Sequence, residues 1–161
     1  SHTLDRSSRK QIYDGFCKAL SDAGIELTKE MVLIRPAQQD VDGDVDFNNG
    51  RALAQMLLEC NRLPDAVMAI NDITAIGIMD SLAQRGIKVP RDLSIIGFDN
   101  IPMSAMVTPA LTTIHQPALE TGRKAVDLLF KYIDDPDLPP TQITIQPELV
   151  VRQSVKKRKK Q

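Results

Sequence analysis

Apolar positions along this chain follow two alternating rhythms, a helical one and a continuous one. Ile12, Phe16, Leu20 and Ala23 recur at helical spacing between Ser8 and Ala23, and Gly24 ends the run. Met31 to Ile34 is a short apolar run that predicts a strand. Ala52, Leu53, Met56, Leu57 and Cys60 form the next helical stripe, expected to begin after Asn48-Asn49-Gly50. Ala66 to Ile70 reads as a buried strand between Pro64 and Asn71-Asp72, a pair suited to capping the helix that follows. That helix carries the stripe Ala75, Ile76, Met79, Leu82 and Ala83, and Gly86 stops it. Pro90 then precedes a further buried strand, Leu93 to Phe98.

Near-continuous apolar strands between helices imply a parallel sheet covered on both faces. Right-handed crossovers make that sheet an open, doubly wound α/β layer. Beyond Pro109 the rhythm changes. Leu111 to His115 is extended, and Pro117 can open a helix with the stripe Leu119, Gly122, Val126, Leu129 and Ile133. Pro136, Pro139 and Pro140 break the chain before two strand-like runs, Gln142 to Ile145 and Glu148 to Val151. A strand, helix, strand appendix of this kind suggests that the chain leaves its layer and returns.

Composition narrows the class. The chain has 161 residues, 42% of them hydrophobic, which suffices for an ordinary domain core. Tryptophan is absent, so aliphatic residues must fill that core. No apolar run approaches a membrane span and no signal-peptide pattern opens the chain, so no membrane partner is expected. The net charge is −1, and taking away the five cations of Lys156-Lys157-Arg158-Lys159-Lys160 leaves −6. An acidic body is a poor surface for nucleic acid, and the basic end reads as a solvated tail. Cys17 and Cys60 lie in helical apolar patterns, are read as buried reduced thiols, and fit a cytoplasmic setting.

In doubly wound sheets, ligands bind beyond the carboxyl ends of the strands. That rule singles out Asn71-Asp72 and Asp99-Asn100, each just past a strand. Asp99 can accept two hydrogen bonds from hydroxyls or ring N–H groups, or can satisfy the backbone of its own turn. Asn71 offers donor and acceptor together, for a ligand or as a helix cap, and Asp72 leans towards the structural role. Asp40, Asp42, Asp44 and Asp46 mimic the start of a calcium loop, but Val45 and Arg51 stand where that loop demands glycine and glutamate. His2 and His115 lie far from any metal-binding constellation, and no nucleophile–base pair is visible. Neither a cofactor nor enzymatic activity is expected.

The stretch from Val89 to Asn100 (VPRDLSIIGFDN) resembles the signature of the LacI-type transcriptional repressors. So does Pro109 to Pro117 (PALTTIHQP), at the family's spacing. Gly15-Phe16, the run Asn71 to Gly77 (NDITAIG) and the ending Leu149 to Ser154 (LVVRQS) support it, so that the similarity runs from about Arg6 to Ser154. The resemblance implies a periplasmic-binding-protein-like core of two α/β subdomains with a small effector, a sugar, nucleoside or purine, in the cleft. It further implies that residues 1–115 are a C-terminal subdomain lacking its beginning and 116–140 a remnant of the N-terminal one. Residues 141–154 would return to the C-terminal subdomain, with 155–161 a basic tail. The DNA-binding head would lie outside the chain, so operator DNA is a partner only through that head. Asp99 matches a cleft aspartate of the family, while Arg6 and Ser8 stand where members carry an arginine and a small hydroxyl residue. Val45 or Phe47 would lie at the cleft mouth, where members stack an apolar side chain on the ligand. The family's usual arginine is replaced by Ile12, with Arg9 one turn away as a substitute. Homodimerisation through the core would involve Ile76, Met103, Met106 and Val107. The rival reading on the same fold is a sugar-binding transport receptor.

Overall fold

The computed structural model describes residues 7–35 and 45–157. Helix α1 (Ser7–Asp22) is followed by one 3-10 turn (Lys29–Met31) and by α2 (Val45–Glu59). Then come β1 (Ala66–Met68), α3 (Asp72–Ala83), β2 (Ser94–Asp99), α4 (Pro102–Met106) and β3 (Thr112–His115). Helix α5 (Ala118–Asp134) and β4 (Glu148–Val150) complete the order. The sheet runs β1-β2-β3-β4, with β1, β2 and β3 parallel and β4 antiparallel to β3. This is the expected α/β layer, and only the returning strand reverses direction.

Several elements differ from the sequence pattern. The Met31–Ile34 run forms no strand, because Met31 closes the 3-10 turn and the stretch after it joins no ladder, although Leu33 packs on the core. β1 stops at Met68 and is only half-buried, and the ladder continues for one bond, from the Ala69 amide to the Ile96 carbonyl at 2.9 Å. The Gln142–Ile145 run is likewise irregular and mostly exposed. Helix α4 follows β2 where only an apolar cluster was expected, started by Pro102 at its first turn. Cys60 is exposed instead of buried.

Helix α2 begins before Asn48-Asn49-Gly50, and the reason is a close crossing with α3. A side chain at Gly50 would collide with the Thr74 carbonyl oxygen and approach the Gly77 Cα to 3.0 Å. One at Gly77 would strike the Phe47 carbonyl oxygen. Gly50 is therefore a contact residue that lets two backbones touch, not a helix breaker. Below this crossing lie Leu53, Ala54 and Leu57 of α2 and Ala75, Ile78, Met79 and Leu82 of α3, packed with Leu93, Ile95 and Leu111. Helix α3 is buried around most of its circumference, so its apparent stripe understated its role.

The chain closes through Ser154, which is fully buried. Its hydroxyl accepts from the Thr112 amide at 2.8 Å and donates to the Ile95 carbonyl, while the Ile95 amide donates to the Ser154 carbonyl at 2.9 Å. β2 and β3 are thus tied near their starting ends by a residue far along the chain. Replacing Ser154 by alanine strands the buried Thr112 amide, and should cost about 2 kcal/mol in urea unfolding. An unchanged midpoint would show that the hydroxyl contributes nothing.

Candidate functional site

Parallel pairing brings the ends of β1, β2 and β3 to one edge of the sheet. Asn71 caps α3 there, its Oδ1 accepting from the Thr74 amide at 2.8 Å. Its Nδ2 donates to Asp46 Oδ2, also at 2.8 Å, which draws the first turn of α2 to the same edge. Asp99 ends β2 with φ 111, and Asn100 follows with φ 57. Asparagine tolerates this left-handed region, but aspartate at φ 111 is strained and must be held by its surroundings.

Neighbouring polar groups hold it. The Ile101 amide donates to Asp72 Oδ2 at 2.9 Å, and the Asn100 amide donates to Thr113 Oγ1 at 3.3 Å. Thr113 in turn donates its hydroxyl proton to Asp72 Oδ1. Asp72 is fully buried with both oxygens engaged, and Gly97 makes room for it, since a side chain there would meet Asp72 Oδ1. Asp72 thus sits behind the edge and braces the loop that presents Asp99.

Asp99 itself is half-buried and faces Gln116, whose Nε2 donates to Oδ1 at 2.8 Å. Burial holds its carboxyl above the usual carboxylate range; the Gln116 amide opposes this, and the carboxylates of Asp72 and Asp46 add to it. A carboxylate so placed gains from a ligand that brings hydroxyl or ring N–H donors. Among the described residues no cluster of three histidines, cysteines or carboxylates is arranged for a metal ion, and no helix is long and apolar enough to cross a membrane.

A family model described as a periplasmic binding protein-like domain matches residues 2–155. The chain belongs to this family. Among the relatives of this periplasmic binding protein-like domain is the HTH-type transcriptional repressor PurR of Mannheimia succiniciproducens, 39% identical over 98% of this chain and 45% of that protein. A regulatory protein of the LacI family from Chloroflexus aggregans superposes with a TM-score of 0.82 at 30% identity, over 96% of this chain and 53% of that one. A LacI family regulator from Enterococcus faecium, solved with bound ribose, gives a TM-score of 0.74 at 30% identity, over 89% and 50% of the two chains. The chain thus spans about half the length of the proteins it matches.

Within the periplasmic binding protein-like domain, the other residues singled out from sequence fall in different places. Val45 and Phe47 are both in the first turn of α2, beside Asp46; Phe47 is half-buried and packs against the core. Ser8 is the second residue of α1, while Arg6, His2, the aspartates Asp40, Asp42 and Asp44, and the tail beyond residue 157 lie outside the described residues. Ile76, expected at a contact between copies, is only 8% exposed and belongs to the chain's own core, so it has little area to offer a partner. Met103 and Met106 on α4 are 49% and 78% exposed, and Val107 packs partly on the core. Asp46 and Gln116 join the site without having been singled out as ligands, beside Asn100, which the strand-end rule had marked. Asp46 was hidden in the calcium-like run, and a helix started at Val45 would have placed it. Gln116 is legible only once β3 is known to lie beside β2.

Proposed function

We propose that this domain is the effector-sensing part of a LacI-type transcriptional regulator, and that Asp99 is its principal ligand to a small polar effector of sugar or nucleoside and purine type. The observation that carries the reading is the strained, braced presentation of a partly desolvated carboxylate at the carboxyl edge of a parallel sheet. Asn71 flanks Asp99 on the neighbouring strand end, and Val45 stands at the rim. Asp72 acts behind the site through Ile101 and Thr113. Arg6 and Ser8 keep their assignment from the resemblance.

In the intact regulator the effector shifts the balance between two arrangements of paired subunits, and so the spacing of DNA-binding heads that this chain does not contain. Residues up to 115 and from 141 to 154 make one subdomain, and residues 116–140 belong to another. Helix α5 supports that division, because none of its residues is buried and Leu119, Val126, Leu129, Phe130 and Ile133 are all exposed. Met103 and Met106 supply the contact between copies. The names of the relatives favour a regulator over a transport receptor of the same fold, and also over an enzyme.

The test is a thermal-shift screen with ribose, other sugars, nucleosides and purines, repeated on Asp99→Ala. A ligand at a hundredfold its Kd adds about 2.7 kcal/mol, a rise of about 5–10 °C for a chain of this size. The rise should vanish in Asp99→Ala, and a hit that survives the substitution removes Asp99 from the site.

A further inference from the structure

Arg152 lies past β4, far from Asp99 in sequence, and its side chain reaches under the strained loop. Its Nη1 donates to the Leu111 carbonyl at 2.7 Å and to Ser104 Oγ at 2.9 Å. Its Nη2 donates to Asn100 Oδ1 at 2.6 Å. Ser104 is fully buried and passes its own proton to the Ile101 carbonyl at 2.6 Å. The Arg152 amide donates to Thr112 Oγ1 at 2.9 Å, so both ends of the residue are anchored.

A guanidinium has only donors, so the atom of Asn100 facing it must be the amide oxygen. The amide nitrogen then points the other way, to His115 Nδ1 at 3.2 Å. That nitrogen can only donate, so His115 Nδ1 must carry a lone pair, with the ring proton on Nε2. His115 is the last residue of β3, next to Gln116, which binds Asp99. A single planar fork therefore sets the orientation of one amide, and that amide sets the tautomer of the histidine at the exit from the sheet.

We infer that Arg152 is a positioning residue of the site: by taking the amide oxygen of Asn100 it fixes the left-handed turn that aims Asp99, and it holds His115 as the Nε2–H tautomer. The consequence for binding rests on the role proposed above for Asp99, whereas the turn and the tautomer stand without it. Lysine cannot replace the fork, since a point charge cannot reach the Leu111 carbonyl, Ser104 and Asn100 with the same planar geometry.

The test is read by NMR on the chain without ligand, at a pH well above the ordinary histidine range. The chain has two histidines, so His115→Gln assigns the signals. The wild type should show the imidazole nitrogens of His115 well separated, with Nε2 protonated. In Asn100→Asp the carboxylate keeps Arg152 as partner but presents an acceptor to the ring, so the proton should move to Nδ1 and the two shifts should exchange. In Arg152→Met the amide is free to turn, and the shifts should converge while the three-bond HN–Hα coupling of Asn100 leaves its left-handed value. Arg152→Lys should fall between. An Asn100→Asp protein that retains the Nε2–H tautomer overturns the inference, as does an Arg152→Met protein with shift and coupling unchanged. Should Arg152→Met not fold, Asn100→Asp decides alone. Loss of ligand binding in Asp99→Ala is read separately, so the two readings fail independently.

Discussion

Gly77→Ala is expected to destabilise the chain by about 3 kcal/mol, the upper part of the range for overpacked cores. The sign is the informative part. In a free helix the same change would stabilise by about 1 kcal/mol, because alanine is the better helix former. Here the added methyl meets the backbone of Phe47, with the carbonyl carbon at 3.0 Å and the Gly50 Cα at 3.2 Å. Backbone cannot rotate aside as a side chain can, so α2 must move off α3 and take Leu53, Ala54 and Leu57 with it. At about 2–4 °C per kcal/mol the melting temperature should fall by roughly 6–12 °C, measured by circular dichroism. A melting temperature that rises instead would mean that the two helices do not cross at these glycines. Gly50→Ala should behave alike, since it meets the Thr74 carbonyl.

Asp72→Ala should cost about 3–5 kcal/mol, because two hydrogen bonds to a buried carboxylate are lost together. The Ile101 amide and the Thr113 hydroxyl would both be left facing a dry gap. Asp72→Asn should cost only about 1 kcal/mol, since the amide oxygen still receives the Ile101 amide and Thr113 can turn to accept from Nδ2. Chemical denaturation of the three proteins gives the order directly. Equal losses in both variants would show that a single acceptor oxygen is not enough and that the site requires the whole carboxylate. A loss below about 1 kcal/mol in Asp72→Ala would contradict the bracing role.

Much of this architecture is legible from residue order. The alternation of helical and continuous apolar runs gives α1, α3, β2 and β3 nearly to the residue, and the capping role of Asn71 follows from its type and place. What fails does so for physical reasons. Gly50 reads as part of the stretch ahead of a helix because sequence shows the missing side chain but not the neighbour that requires its absence. Met31–Ile34 and Gln142–Ile145 have strand composition, but a strand exists only through the ladder it joins. The stripe of α5 does predict a helix, yet its apolar residues Leu119, Val126, Leu129, Phe130 and Ile133 are left exposed among the described residues, which no periodicity reveals. At the site, Asp99 is visible in the motif around it. Arg152 is not, because a partner contributed from the end of the chain is adjacent only after β4 has returned to β3.

That return also orders events in time. The packed units α2, β1, α3 and β2 are neighbours along the chain, so their contacts close short loops and can form early. The bonds from Ser154 to Thr112 and Ile95 span 42 and 59 residues and are expected to close after them. Interactions made after the rate-limiting step govern how fast a protein comes apart more than how fast it assembles. The seam at Ser154 is therefore expected to act as a brake on unfolding, so that Ser154→Ala should raise the unfolding rate more than it lowers the folding rate, and shorten the time for which Arg152 is held beneath the Asp99 loop.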